Sequence, residues 1–391
     1  MTSDSGHGAD GADGADGADG ADDDPGDATS ATASAAPPDR RRVPLPGISS
    51  RAWEHPADRG ALTALRELRG FDDLLRTLSG VWNERAFRLE MLGGAVRVDH
   101  RQYARVYRIF AEAGAVLDVA MLPELYVNLD RNIQSLCVGM SKPFIVISSG
   151  AVELLDEAEL RTLLGHELGH LQSGHAVYRT MLDTVVRWGT TFAWVPLGAV
   201  VLRAVAAAMH EWWRKAELSA DRAGLLASQD PAAALRLSMK SAGGGDLSEV
   251  DTTAFLEQAA EYDRGGDLRD SVLKLRRLLW RTHPLPVARA AELRRWVDTG
   301  DYATILGGTY PRRADDAEAS PSADAKAAAD HYRAAFRSTE DPLASLLRRL
   351  GEGGAGAGEW ASSGFGKLRD WMGGPSADRD RPASDDAPAG T

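Results

Sequence analysis

The chain has 391 residues, of which 43% are hydrophobic and 26% charged, and its formal net charge is −12. Residues 1–39 contain ten Asp and no Lys or Arg, so this segment carries most of that charge. The remainder is near neutral, which excludes the strongly basic surface of a nucleic-acid-binding protein. A single cysteine, Cys137, excludes an intrachain disulfide, and no signal-peptide pattern opens the chain. These features predict a cytoplasmic protein.

Composition divides the chain into three regions. Residues 1–47 repeat Gly-Ala-Asp and then become rich in Pro. They predict a disordered acidic arm and linker, because too few apolar side chains are available for burial. Residues 48–310 are predicted to form the folded domain. Residues 311–391 are rich in Ala, Asp and Ser and predict a tail with one amphipathic helix over 330–350.

The folded domain is predicted to be α+β and predominantly helical. Leucines at three- and four-residue steps predict a helical subdomain over 51–120. Short β-rich runs, separated by Asp, Asn, Gly and Pro, predict a small sheet of about three strands over 124–148. Two further helices are predicted over 157–180 and 211–227, and the first begins after a capping residue, Asp156.

A metal-site motif, His166-Glu167-Leu168-Gly169-His170, lies in the first of these two helices and fits the H-E-x-x-H pattern. Four residues advance a helix by about 400° and about 6 Å, so both imidazoles leave the same face. That separation allows both rings to bind one Zn²⁺ at about 2.0–2.1 Å. Glu167 lies about 100° around the helix from His166, where it reaches a metal-bound water without being a ligand. The motif predicts one zinc ion per chain.

A catalytic zinc needs a third protein ligand and an open position for water. The candidates are His175, His210, Glu211 and Glu217. In a helix that runs on to residue 180, His175 lies about 180° around from His166 and faces away from the metal. Glu217 and Asp221 share a helix face, so one carboxylate can bind zinc while the other accepts the second N–H of a ligand histidine. The alternative is a solvated, charged helix face.

Three sequence elements together resemble the HtpX and CAAX-prenyl-endopeptidase family of gluzincin metallopeptidases. They are Gly165–His170, Glu217–Asp221, and His283-Pro284 with Arg289. The resemblance covers roughly residues 55–300. It implies a gluzincin-like catalytic domain in which the small sheet lies beside the H-E-x-x-H helix.

The same resemblance implies roles for individual side chains. Glu217 would be the third zinc ligand, and Asp221 would hold a ligand histidine from behind. His283 would stabilise the oxyanion or hold substrate, and Arg289 would support the site by ion pairing. Without the resemblance, His283 is simply a loop histidine before Pro284.

The family also has a substrate-binding strand, which corresponds here to Asn132, Ile133, Gln134 and Ser135. Ile133 replaces a small residue of the family pattern and so changes the shape of the local pocket. An extended substrate would add to such a strand through main-chain hydrogen bonds. An ordinary sheet strand is the alternative.

These features predict a zinc-dependent endopeptidase that acts on protein or peptide substrates. A metal-activated water would attack the peptide bond while Glu167 acts as general base. Two alternatives remain at this point: a catalytically idle, zinc-stabilised interaction module, and a metallohydrolase of a non-peptide amide. An intact Glu167 favours the enzyme, because a structural zinc site has no need of a base.

The apolar run 190–209 is long enough to span a bilayer, but it contains Pro196 and Arg203. It also separates His170 from Glu217, so a single crossing would place these two ligands on opposite sides of a membrane. The run therefore predicts a buried helix or one that associates with a membrane surface.

Overall fold

The computed structural model describes residues 41–66, 84–191, 196–264 and 285–317, which form a mostly helical fold around one small sheet. The helices are α1 (Pro56–Arg66), α2 (Glu84–Gly94), α3 (Ala104–Val116), α4 (Ser149–Leu154), α5 (Glu157–Gln172), α6 (His175–Thr191), α7 (Pro196–Ser228), α8 (Pro231–Gly243), α9 (Thr252–Arg264), α10 (Pro286–Asp298) and α11 (Asp301–Leu306). The strands are β1 (Val96–Arg97), β2 (Leu125–Asn128), β3 (Ser135–Val138) and β4 (Phe144–Ser148). Short 3-10 helices lie at Ser50–Ala52 and Arg313–Asp315. The predicted α+β class is confirmed.

The sheet is mixed, with the strand order β1-β2-β4-β3. Strands β2 and β4 are parallel, while β1 and β3 pair antiparallel with their neighbours. The three strands expected over 124–148 are β2, β3 and β4, and the two-residue strand β1 is an addition that the sequence did not predict. Strand β3 lies at an edge of the sheet, which leaves one of its sides open to a further partner.

The two faces of the sheet pack against different helices because successive side chains of a strand point to opposite sides. Leu125 and Ile145 belong to the large core, which also includes residues of α3 and α5. Tyr126 and Phe144 point to the other face, where Phe87 of α2 packs against them. Both faces are therefore covered, and the strands have few polar residues.

Helix α5, which carries the H-E-x-x-H motif, is fixed at its N-terminus by a capping box. The Asp156 side chain accepts hydrogen bonds from the backbone N–H groups of Ala158 and Glu159, and the Glu159 side chain accepts one from the backbone of Asp156. Glu159 is fully buried and pairs with Arg236 and Lys240 of α8. The predicted cap at Asp156 is confirmed, and these contacts hold the start of α5 against α8.

Two of the predicted helices differ from those observed. Residues 157–180 form two helices, because α5 ends at Gln172 and α6 begins at His175. Gly174 lies between them with a φ of 71°, a left-handed conformation that glycine adopts without strain and that commonly ends helices. The helix expected over 211–227 is the C-terminal part of the longer helix α7.

The run 190–209 includes the end of α6 and the first part of α7. Among the described residues, no helix combines the length and the apolar character that a membrane crossing requires. The acidic arm 1–40, His283 and the tail helix expected over 330–350 lie outside the described residues.

Candidate metal centre

Helices α5 and α7, which carry the motif and Glu217, approach each other closely along a line of small residues. A Cβ atom placed on Gly165 would lie 2.3 Å from Cβ of Ala227, and one on Gly169 would lie 2.5 Å from Cβ of Ala223. Real Cβ atoms do not approach so closely, so only glycine fits at these two positions. Because Gly165 and Gly169 have no side chains, the two ligand-bearing helices can pack this closely.

Three side chains from these helices converge on one point. His166 Nε2 and His170 Nε2 are 3.1 Å apart, and Glu217 lies 3.4 Å from His170 Nε2 and 3.6 Å from His166 Nε2. All three residues are buried, and their ligand atoms lie within 4.8 Å of one another. Within the described ranges, no other group of three His, Cys, Asp or Glu residues has this geometry.

The protonation of these side chains suits a divalent metal. Burial lowers the pKa of His170 to about 3, which leaves its ring neutral, as a metal ligand must be. Burial also raises the free energy of a charged Glu217, but Arg289 and the two histidines outweigh it and hold the pKa of that carboxyl well below its usual range. Two imidazoles and one carboxylate are a donor set of catalytic zinc sites. The residues present therefore fit zinc.

Asp221 and Arg289 lie behind this cluster. Asp221 Oδ1 is 3.0 Å from His166 Nδ1, on the side of the ring opposite the ligand nitrogen. Burial lowers the pKa of His166, but the hydrogen bond with Asp221 and the charges of Glu217 and Asp221 outweigh that effect and raise it. Arg289 of α10 donates to both oxygens of Asp221 and lies 2.9 Å from Glu217 Oε2. One guanidinium thus links Glu217 and Asp221 of α7.

Glu167 lies next to the three converging side chains, and the two oxygens of its carboxyl group have different surroundings. Its Oε1 accepts a hydrogen bond of 2.5 Å from Ser135 Oγ of β3. Its Oε2 is buried and has no hydrogen-bond partner among the described residues. Burial raises the pKa of Glu167 above its usual value, although the charge of His166 and the hydrogen bond from Ser135 act against this shift. Because Glu167 Oε2 is buried beside the metal site and no described residue bonds to it, it can accept a hydrogen bond from the water that attacks the substrate.

A cavity of about 460 Å³ opens in front of these residues. Asn132, Ile133, Gln134 and Ser135 line one wall, and all four were predicted to bind substrate. Helices α8 and α10 supply the opposite wall, mainly with apolar side chains such as Leu237. The cavity has the size of a small-molecule or peptide site.

The position of His175 differs from the prediction. A continuous helix would place His175 away from the metal, whereas the break at Gly174 turns it back toward the cluster. His175 is buried, and its Nδ1 is 3.0 Å from His170 Nδ1. The Ser173-Gly174 pair is the sequence signal that could have shown the helix end.

Among the described residues, the predicted site residues fall into two groups. His166 and Glu217 of the metal cluster line one cavity together with Glu167, Asp221, Arg289 and the stretch 132–135. His210 and Glu211, considered as third ligands, do not join the cluster: Glu211 pairs with Arg214 and Lys215 of its own helix.

Comparison with known proteins gives a family for this arrangement. Residues 100–297 match Peptidase family M48. The chain is 34% identical over 260 residues to plastoglobule-localized metallopeptidase 48, chloroplastic, of Arabidopsis thaliana, which covers 65% of this chain and 74% of that protein. It is 29% identical over 98 residues to the protease HtpX homologs of Bacillus subtilis (strain 168) and Bacillus velezensis, which covers 23% of this chain and 32% of each relative. No solved structure matches the chain.

The family match includes all three converging side chains and the helix that carries Arg289. The predicted resemblance, the zinc cofactor and the enzymatic class are confirmed together. The chain belongs to Peptidase family M48 and is a zinc metalloendopeptidase whose metal site is formed by His166, His170 and Glu217.

Proposed function

We propose that Glu167 is the general base of this peptidase and that extended polypeptides bind along the edge of β3 to reach it. The observation that carries the proposal is Glu167 Oε2, which is buried beside the metal cluster and has no hydrogen-bond partner in the part of the chain that the structure describes. A protease acts on protein substrates, and the cavity lined by residues 132–135 supports binding of a polypeptide segment.

The chemistry divides between the metal and the side chains around it. When bound, zinc activates a water molecule and polarises the carbonyl group of the scissile bond. Glu167 takes the proton of the attacking water through Oε2 and then delivers it to the leaving amine. Ser135 holds the other oxygen of Glu167, which keeps the carboxylate in one orientation. Asp221 fixes the orientation of the His166 ring, and Arg289 in turn holds Asp221.

The edge of β3 supports binding of an extended chain. Gln134 directs both of its backbone groups toward β4: its N–H donates to Ser148 Oγ, and its carbonyl accepts from the Ser148 N–H. Backbone groups of successive strand residues point to opposite sides, so the N–H and carbonyl of Ser135 point away from β4. A substrate strand on that side would pair with Ser135, next to Glu167.

We expect Ser135→Pro to raise KM for an unfolded protein such as casein by about tenfold relative to Ser135→Ala. Proline removes the outward N–H but leaves the β3–β4 hydrogen bonds, because edge strands tolerate proline. The loss of one hydrogen bond corresponds to about 0.5–1.5 kcal/mol. Initial rates measured over a range of casein concentrations give the two KM values.

Ser135→Ala is the matched control, because both variants lack the hydroxyl group. Equal KM values would contradict strand addition at this edge.

We also propose that residues 190–209 do not cross a membrane. His170 precedes this run and Glu217 follows it, and both belong to the same metal site. We expect high-salt and carbonate washing to release the protein from isolated membranes, as detected by immunoblotting of pellet and supernatant. Retention of the protein in the carbonate-washed pellet would contradict the proposal. The cytoplasmic location inferred from the single cysteine, Cys137, stays a prediction.

A further inference from the structure

A buried chain of hydrogen bonds leads from the metal cluster to helix α1. His170 Nδ1 lies 3.0 Å from His175 Nδ1, and His175 Nε2 lies 3.1 Å from Asp58 Oδ2. All three side chains are almost fully buried, with exposed fractions of 1%, 2% and 2%. Of these three residues, only His170 belongs to the H-E-x-x-H motif.

Only one arrangement of protons satisfies these contacts when a metal is bound. His170 Nε2 faces the other two ligands and must carry no proton in order to bind a metal. Its proton therefore lies on Nδ1, which donates to His175 Nδ1. The remaining proton of His175 then lies on Nε2, which donates to Asp58 Oδ2. With these protons, His170 donates to His175 and His175 donates to Asp58, so each of the three side chains has a hydrogen-bond partner.

Asp58 is held in place by two further donors from α7. Trp212 Nε1 donates to Oδ1 at 2.9 Å, and Ser219 Oγ donates to Oδ2 at 2.6 Å. Three donors therefore converge on the Asp58 side chain, which connects α1 to the helix that carries Glu217.

We propose that Asp58 and His175 are positioning residues for the metal ligand His170, fixing its tautomer and the orientation of its ring. Asp221 has the matching contact on His166, so each ligand histidine has an acceptor behind it. Asp58 lies upstream of residues 100–297, which match the family. Helix α1 is therefore part of the metal centre, although it lies outside the matched region.

The test is zinc affinity, measured by competition with a chelating dye for the full chain. Outer-shell partners of metal ligands contribute about 10- to 100-fold in affinity. We expect a loss of about 100-fold for His175→Phe, which removes both ring nitrogens, and about 10-fold for Asp58→Asn, which removes only the charge. His175→Gln should regain much of the affinity, because its amide offers an acceptor and a donor. With Co²⁺ in place of zinc, the visible spectrum should shift in His175→Phe.

Two comparisons separate positioning from a general loss of stability. Thr184→Val removes another buried hydrogen bond on α6, from Thr184 Oγ1 to the carbonyl of Thr180, and should leave zinc affinity unchanged. The double variant Asp58→Asn/His175→Phe should bind zinc as His175→Phe does, because the proposal has Asp58 act on His170 through His175. Thermal unfolding of the metal-free proteins shows which variants fold, and if His175→Phe does not, Asp58→Asn and His175→Gln carry the test.

Unchanged zinc affinity in a folded His175→Phe or Asp58→Asn protein, or additive losses in the double variant, would overturn the proposal. Zinc affinity is measured without a substrate. The positioning roles of Asp58 and His175 can therefore fail while the proposed roles of Glu167 and β3 stand, and those roles can fail while the positioning roles stand.

Discussion

Glu167→Gln should lower kcat for casein by about 10²- to 10⁴-fold while the protein still binds zinc. Glutamine has nearly the same shape as glutamate but cannot accept the proton of the attacking water, and general bases contribute about this factor. The three residues of the metal cluster are unchanged in this variant, so the zinc content should stay near one ion per chain. Metal analysis and casein hydrolysis on the same preparation measure both quantities.

A matched control for this variant is Glu153→Gln. Glu153 is an exposed glutamate of α4 and does not line the cavity, so its replacement should leave kcat unchanged. A zinc-loaded Glu167→Gln protein with the wild-type kcat would remove Glu167 from the mechanism. Loss of zinc together with activity would show instead that Glu167 helps to hold the metal.

Glu217→Gln should lower zinc affinity by more than about 100-fold, which exceeds the range for residues behind the ligands. The change removes the carboxylate donor of the cluster and leaves the two imidazoles of His166 and His170. It also leaves Arg289 with one carboxylate partner instead of two. Chelator competition measures the affinity, and peptidase activity at limiting zinc should fall with it.

Glu211→Gln is the control on the same helix. Glu211 was a candidate for the third ligand, but it contacts Arg214 and Lys215, and its replacement should leave zinc affinity within about twofold of wild type. If Glu211→Gln lost zinc and Glu217→Gln retained it, the assignment of the third ligand would be wrong.

The parts of the site that the sequence predicted depend on short-range geometry. His166, Glu167 and His170 lie within one helix, so the helical repeat alone determines which of them share a face. Strands β2 and β4 were likewise visible as apolar runs, because both of their faces are buried. Glu217 could be selected from its alternatives only through the family resemblance, since its position relative to α5 depends on how two distant helices pack.

The parts that the sequence did not predict depend on breaks and long-range contacts. One glycine, Gly174, ends α5 and reverses the expected direction of His175. The contact between His175 and Asp58 joins two helices that are far apart in sequence, and neither residue belongs to a motif. A lone aspartate in an amphipathic helix is usually a solvated residue, so only the folded arrangement reveals its buried position.

The close contact of α5 and α7 at Gly165 and Gly169 has a consequence for the spacing of the metal ligands. Because a Cβ atom on either glycine would overlap a methyl group of α7, the distance between the two ligand-bearing helices depends on the absence of side chains at these positions. A single methyl group added at Gly169, as in Gly169→Ala, would push α5 and α7 apart. It would move the helix that bears Glu217 outward and widen the triangle of donor atoms, although every ligand would still be present.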